Sequence, residues 1–305
     1  MVLTDKRRAI IFVGGSVRGI YQLGVVSKLL ETEEDDFEFL GGNSVGTLTS
    51  CFLGQYPMGE MGLGLRQLLD IWYGLKSAKD LWKMNLFSIF KALYDNGISN
   101  PAPLQQLIRA YCDLDKVKRS GRKVVISTVD VLEGEYVEYD QDHLTWQNIY
   151  GSTAMPFGCP AIETTDGKYL TDGGVLVSGP LTTAIKAGYK DITIVLNGPV
   201  SKKKRIKRVE VKDVKRMDKF ALRILGMILD NQFIKQMQLC LLYNLLAKNE
   251  LTEKAEVNVR VFAPSNVLAS EMILMELTPS KLKEWYEEGR NTKPLSLEEY
   301  ITTLD

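Results

Sequence analysis

The chain predicts an α/β fold built on a largely parallel sheet, and three observations carry that prediction. Short apolar runs rich in β-branched residues alternate with stretches of helical period. Two of those runs end in glycine clusters that lead directly into a helix, as crossover units of a parallel sheet do. At 305 residues, with 45% hydrophobic and 25% charged side chains, the chain can bury a substantial core and still present a charged surface.

The elements follow in order. Residues 8–13 read as a buried first strand, followed by the cluster 14–19 and an amphipathic helix over 20–30. Residues 37–41 read as a second strand, 42–46 as a tight turn, and 47–53 as the opening of a buried helix. Residues 63–74 look helical, and 75–100 are irregular and rich in Trp, Met and Phe. Within them, 81–94 fit a buried helix as well as a cover over a site or a bilayer contact. Pro103 opens a helix to Tyr111, residues 124–129 and 135–139 are strands, and Thr145 caps a short helix. Residues 161–170 form a hairpin turning at Asp166-Gly167. Pro180 starts a helix ending near Gly188. Residues 192–196 make a strand closed by Asn197-Gly198-Pro199. The apolar spacing over 219–248 predicts an amphipathic helix covering the core, with a dimer interface as the second reading. Residues 257–262 read as the last strand, and 280–288 as a last helix ended by Gly289.

Charge and composition exclude several function classes. The 38 basic and 38 acidic residues cancel, so no global attraction to nucleic acid or membrane follows. One local run, residues 202–208, carries six basic residues in seven. A solvated loop, a contact with anionic lipid headgroups and a nuclear localisation signal all fit it. The four cysteines (Cys51, Cys112, Cys159, Cys240) show no C-x-x-C spacing, and His143 is the single histidine, so no metal site is expected. Residues 1–8 are short and polar, and no apolar run approaches the ~20 residues of a membrane span. The expected location is cytoplasmic, with any membrane contact peripheral.

Three clusters carry chemistry. Gly42-Asn43-Ser44-Val45-Gly46 lies between a strand and a helix, the setting of a nucleophile elbow. Small flanking residues let strand and helix approach, and the helix N-terminus favours a developing negative charge. The alternative is a Gly-rich turn with a capping serine. Gly14-Gly15-Ser16-Val17-Arg18-Gly19 can leave backbone N–H groups bare at a strand end, as an oxyanion hole needs. Taken alone the cluster reads first as a sharp turn without chemistry, whereas a dinucleotide loop lacks a glycine at Ser16 and a Walker loop lacks its Gly-Lys-Ser/Thr. Asp172, ahead of Gly173 and Gly174, stands at the end of the hairpin. From there its carboxylate can reach a serine on a neighbouring strand, or serve only as a turn residue.

Together and in this order, the clusters resemble the patatin-like phospholipase family: a Gly-rich loop ending in a basic residue and glycine (Arg18, Gly19), then G-x-S-x-G (Gly42 to Gly46), then D-G-G. Softer similarities at 151–156 and 192–199 extend the match over residues 7–290, read as the acyl hydrolase domain, with 291–305 as a C-terminal tail. The resemblance implies a three-layer sandwich with helices on both faces of the sheet. It implies Ser44 as nucleophile, Asp172 as its base, and Gly14, Gly15 and Ser16 at the oxyanion hole, with no cofactor or metal. The substrate would be a phospholipid or lysophospholipid. A peripheral contact with anionic membrane is the expectation drawn from the basic run 202–208 and the apolar segment 81–94, and nucleic acid is given no part. One departure stands out: the family has a third glycine where this chain has Ser16. A Ser–Asp dyad needs no histidine, and His143 lies in a polar loop ahead of Asp172, against the Ser, acid, His order of α/β-hydrolases. The competing functions are a non-catalytic lipid- or partner-binding module on the same fold, and a nucleotide-binding α/β protein.

Overall fold

A computed structural model describes residues 7–33, 37–84, 96–200, 215, 217–249, 256–268 and 277–304. The basic run 202–208 and most of the apolar segment 81–94, namely 85–94, lie outside them. The strands are β1 (Arg8–Phe12), β2 (Phe37–Gly42), β3 (Lys83–Met84), β4 (Ser99–Asn100), β5 (Lys123–Asp130), β6 (Glu135–Asp140), β7 (Ile162–Glu163), β8 (Tyr169–Asp172), β9 (Asp191–Val195), β10 (Asn258–Phe262) and β11 (Leu295–Ser296). The helices are α1 (Gly19–Thr32), α2 (Val45–Leu53), α3 (Met61–Gly74), α4 (Ala102–Tyr111), α5 (Leu114–Arg119), α6 (Trp146–Thr153), α7 (Leu181–Lys186), α8 (Met217–Lys248), α9 (Pro279–Asn291) and α10 (Leu297–Thr302).

The main sheet runs in the order β11-β10-β9-β1-β2-β5-β8-β7, with β6 also on β5. Its centre, β10-β9-β1-β2-β5, is parallel throughout. Antiparallel strands flank it: β11 on one side, β6, β8 and β7 on the other.

Alternation along the strands divides the core in two. Ile10 and Phe12 of β1 join Phe37 and Leu40 of β2 on one face, under α1, α2, α3 and α9. Ala9 and Ile11 join Phe39, Ile192 and Ile194 on the other, under α7, α8 and α10. Because every central strand is apolar on both faces, the sheet requires helices on both sides. This is the three-layer α/β architecture that the sequence predicts.

Two expectations change. Gly289 does not end the last helix; it lies inside α9, where a Cβ would stand 2.2 Å from the Tyr21 carbonyl oxygen. Its counterpart on α1 is Gly24, whose Cβ would meet the Tyr286 carbonyl at 2.0 Å. The two glycines let α1 and α9 cross with their backbones nearly touching, so packing rather than termination selects them. The strand at 258–262 is not the last. Residues 295–302, inside the segment set apart as a tail, add β11 to the sheet edge and bury Leu297 and Tyr300 of α10 in the second core.

Candidate active site

Ser44 occupies the turn between β2 and α2 with φ 54° and ψ −131°, a conformation that L residues rarely adopt and that costs about 1–3 kcal/mol. The surrounding contacts enforce it. Ser44 N–H donates to the Ser152 carbonyl at 3.0 Å and lies 3.2 Å from Ser152 Oγ. Thr47 N–H donates back to the Ser44 carbonyl at 3.0 Å. The G-x-S-x-G spacing follows from contact: a Cβ on Gly46 would sit 1.9 Å from the Phe12 carbonyl oxygen, and one on Gly42 would sit 2.3 Å from that of Gly46. The hydroxyl is thus held out of a strained turn at a helix N-terminus.

Asp172 arrives by sheet topology. β8 pairs antiparallel with β5 through Thr128 and Asp172, and β5 pairs parallel with β2, so the end of β8 lies across one strand from the elbow. The carboxylate is buried, at 4% exposure. Its Oδ1 accepts from Gly174 N–H at 2.9 Å, and Asp172 N–H donates to the Ala154 carbonyl at 3.1 Å. Burial pushes the Asp172 carboxyl up to about 6 from the ordinary 3.8, while Gly174 N–H, the Ser44 hydroxyl and the Asn43 amide pull the other way. Gly173 has no room for a side chain, since a Cβ there would meet the Ser127 backbone at 2.6 Å.

The Gly-rich loop lies against Ser44. A Cβ on Gly14 would stand 2.8 Å from Ser44 Cβ and 3.5 Å from its Oγ. The three loop residues differ in what they offer, however. Gly14 N–H already donates to Asn43 Oδ1 at 3.0 Å, which takes it out of the set of oxyanion donors. The N–H groups of Gly15, Ser16 and Val45 have no partner among the described residues. Arg18 closes the loop from behind: its Nε donates to the Gly15 carbonyl at 2.8 Å and its N–H to the same oxygen at 3.2 Å. Gly19 is glycine because a Cβ would lie 2.4 Å from Val45.

Ser16 has φ 54°, so the departure from glycine is a strained one. A left-handed L residue costs about 1–2 kcal/mol, part of which glycine returns as unfolded-chain entropy. Ser16→Gly is therefore expected to raise unfolding stability by about 1 kcal/mol and keep hydrolysis within a few-fold, since the N–H stays in place. Urea unfolding of the two proteins measures it, and a less stable glycine variant would count against strain at this position.

Buried polar side chains that the motifs do not include hold these parts together. Asn43, 2% exposed, spans from Gly14 N–H to the Asp172 carboxylate. Ser152 Oγ meets Thr47 Oγ1 at 2.5 Å and donates to the Ser127 carbonyl at 2.7 Å, which ties the elbow to β5. Gln22 and Asn197 both donate to the Val13 carbonyl at 2.7 Å, at the root of the loop. Asn43 was visible in the sequence as the variable position of the elbow, and Ser152 as part of 151–156. Nothing local marks Gln22, and Asn197 reads only as a strand end.

A protein-family model described as patatin-like phospholipase matches residues 10–185, more than half of the chain, including all three clusters. The chain belongs to the patatin-like phospholipase family. Among solved structures, the crystal structure of VipD from Legionella pneumophila is similar at a TM-score of 0.44 and 11% identity, over 98% of this chain and 67% of that one. No curated protein matches the sequence.

In this patatin-like chain His143 stands apart from the site. Its side chain is 75% exposed, and Nδ1 pairs with Asp140 at 2.6 Å on the turn after β6. Among the described residues, no group of His, Cys, Asp or Glu can hold a metal ion, and no helix is long and apolar enough to cross a membrane. Membership of the family supports hydrolysis of lipids in the broad sense.

Proposed function

We propose that the protein is a serine acyl hydrolase using Ser44 and Asp172 as a dyad on a fatty-acyl ester, most directly a phospholipid or lysophospholipid. The observation that carries the reading is Asp172: a buried carboxylate raised to about 6, facing a serine on a strained elbow. A carboxylate at 3.8 is too weak a base for a hydroxyl, and burial narrows that gap.

In the first half-reaction Asp172 takes the Ser44 proton as Oγ attacks the ester carbonyl. The N–H groups of Gly15, Ser16 and Val45 receive the oxyanion, aided by the N-terminus of α2. The carbonyl re-forms, the C–O bond to the alcohol breaks, and the proton on Asp172 leaves with the alcohol. Water then attacks the acyl-Ser44 ester, giving its proton to Asp172, and the proton returns to Ser44 as the fatty acid departs. Residues 7–290 carry the hydrolase machinery in this reading, and β11 and α10 complete the same sheet and core.

The test combines a covalent label with a pH profile. A fluorophosphonate probe is expected to modify Ser44 alone. The kcat/KM of a soluble ester is expected to fall tenfold per pH unit below about 6, because only ionised Asp172 accepts a proton. His143→Ala should leave both results unchanged. Label on another residue, or an acid limb that moves with His143, would overturn the dyad.

A further inference from the structure

The Val13–Gly14 peptide at the root of the Gly-rich loop is held from both sides. Its carbonyl accepts from Gln22 Nε2 and from Asn197 Nδ2, each at 2.7 Å, and its N–H donates to Asn43 Oδ1 at 3.0 Å. The C=O of Val13 and the N–H of Gly14 share one rigid plane, so these three bonds fix the whole unit. All three side chains are buried, at 3% exposure or less. They come from separate elements: Gln22 from α1, Asn43 from the elbow, Asn197 from the turn after β9. Gln22 is itself oriented, since its Oε1 accepts from Thr49 Oγ1 of α2 at 2.7 Å. Two glycines in succession, Gly14 and Gly15, could otherwise turn their peptides over at little cost. A fixed plane ahead of them restrains the Gly15 and Ser16 N–H groups that follow.

Asn43 does more than close this clamp. Its Oδ1 is committed to an N–H, so Nδ2 is the end left for an acceptor, and that end serves the Asp172 carboxylate. The reverse orientation would set nitrogen against Gly14 N–H and oxygen against the carboxylate, so the two neighbours fix the amide between them. One planar group thus ties the loop to the base, with Ser44 the next residue in the chain. The backbone of Asn43 is held as well: its N–H donates to the Phe12 carbonyl at 3.3 Å, and its carbonyl accepts from Gly46 N–H at 2.9 Å. Burial and the Asp172 charge hold the neighbouring Cys159 thiol above its ordinary 9.0, so it stays neutral where Asp172 titrates.

We propose that Asn43 is the positioning residue that couples the two halves of the site, fixing the oxyanion loop through Gly14 and the direction of the Asp172 carboxylate through its amide nitrogen. Within the Ser44–Asp172 reading of the reaction, on which this rests, Asn43 does no chemistry itself and acts through its neighbours. Gln22 and Asn197 share the first task only, because they touch the Val13 carbonyl and not the base.

The experiment compares the full-length parent with Asn43→Asp, Asn43→Ala and Asn197→Ala. It reads the pH profile of kcat/KM on a soluble ester and a carboxyl NMR titration of Asp172, identified by the signal that Asp172→Asn removes. Asn43→Asp keeps an acceptor for Gly14 N–H but sets a second carboxyl where the donor stood. Two carboxyls at one site release their protons in sequence, so the acid limb should rise by about one to two pH units from about 6. That shift alone lowers kcat/KM about two- to tenfold at pH 7, a deficit that shrinks as pH rises. Asn43→Ala loses both bonds: kcat should fall about tenfold at every pH with KM within about twofold, and the limb should rise by about half a unit. Asn197→Ala loosens only the loop, so it should lower kcat about tenfold with the limb in place. A packing role alone would lower activity evenly across pH. An unmoved limb and an unmoved Asp172 titration in Asn43→Asp would therefore overturn the proposal, as would a limb that moves equally in Asn197→Ala. Where Asn43→Asp fails to fold, an unmoved limb in Asn43→Ala is the overturning result. A parent inert toward esters and unlabelled at Ser44, whose Asp172 titration still moves with Asn43, would instead overturn the hydrolase reading and leave the hold on Asp172 standing.

Discussion

Ser44→Ala is expected to lower ester hydrolysis by about 10⁴–10⁶-fold, the scale on which serine nucleophiles fail when their hydroxyl is removed. The change takes away one oxygen and leaves the Cβ, so the turn keeps its φ of 54° and its strain. The backbone bonds from Ser44 to Ser152 and from Thr47 to Ser44 do not involve the hydroxyl. Folding stability should therefore stay within about 1 kcal/mol, as for other small changes at a partly exposed site. Single-turnover assays on a chromogenic ester, beside thermal unfolding, read both quantities. Retention of more than a tenth of the activity in a folded Ser44→Ala protein would dismiss Ser44 as nucleophile.

Asp172→Asn should separate activity from stability. Activity should fall by about 10²–10⁴-fold, the usual cost of a missing general base. Stability should move the other way at neutral pH. In the unfolded chain the carboxyl has its ordinary value of 3.8, and in the folded protein burial holds it at about 6. Below pH 3.8 both forms are protonated and burial of the charge costs nothing. As pH rises from 3.8 to about 6 the folded protein retains the proton that the unfolded chain has released, and stability falls. Above that window the full cost, about 3 kcal/mol, is present. Asparagine carries no charge and still accepts from Gly174 N–H. Denaturant unfolding should thus find Asp172→Asn the more stable protein at pH 8, with the gap closing toward pH 4. A variant less stable than the parent at pH 8 would mean that the buried carboxylate is not strained by its surroundings.

The glycines of the three clusters were legible because each answers a local steric demand. Gly42 and Gly46 allow β2, α2 and β1 to meet, Gly173 clears β5, and Gly14 clears Ser44. A serine between such glycines, after an apolar strand, carries its setting with it. The same holds for the hairpin at Asp166-Gly167, where Gly167 has φ 80°, and for the cap at Thr145, whose hydroxyl accepts from Asn148 N–H.

The partners of those groups were decided elsewhere. That Gly14 N–H is taken by Asn43 depends on β1 and β2 lying side by side, and that Asp172 faces Ser44 depends on β8 pairing with β5. Gly289 illustrates the ambiguity of one residue type. Glycine after a helical run can end the helix or admit a second helix, and only the crossing of α1 and α9 selects the latter. In α8 the spacing shows where the apolar residues recur, yet it does not say which side meets the core. By itself, then, the sequence determined the α/β class, the order of the three clusters and the glycines that frame Ser44 and Asp172, because these depend on short-range sterics and on period. The tertiary structure decided which N–H groups of the glycine loop are paired among the described residues, the desolvation that raises the Asp172 carboxyl, and which apolar face of α8 meets the core, because hydrogen-bond partners, desolvation and exposure are set by residues far apart in the chain.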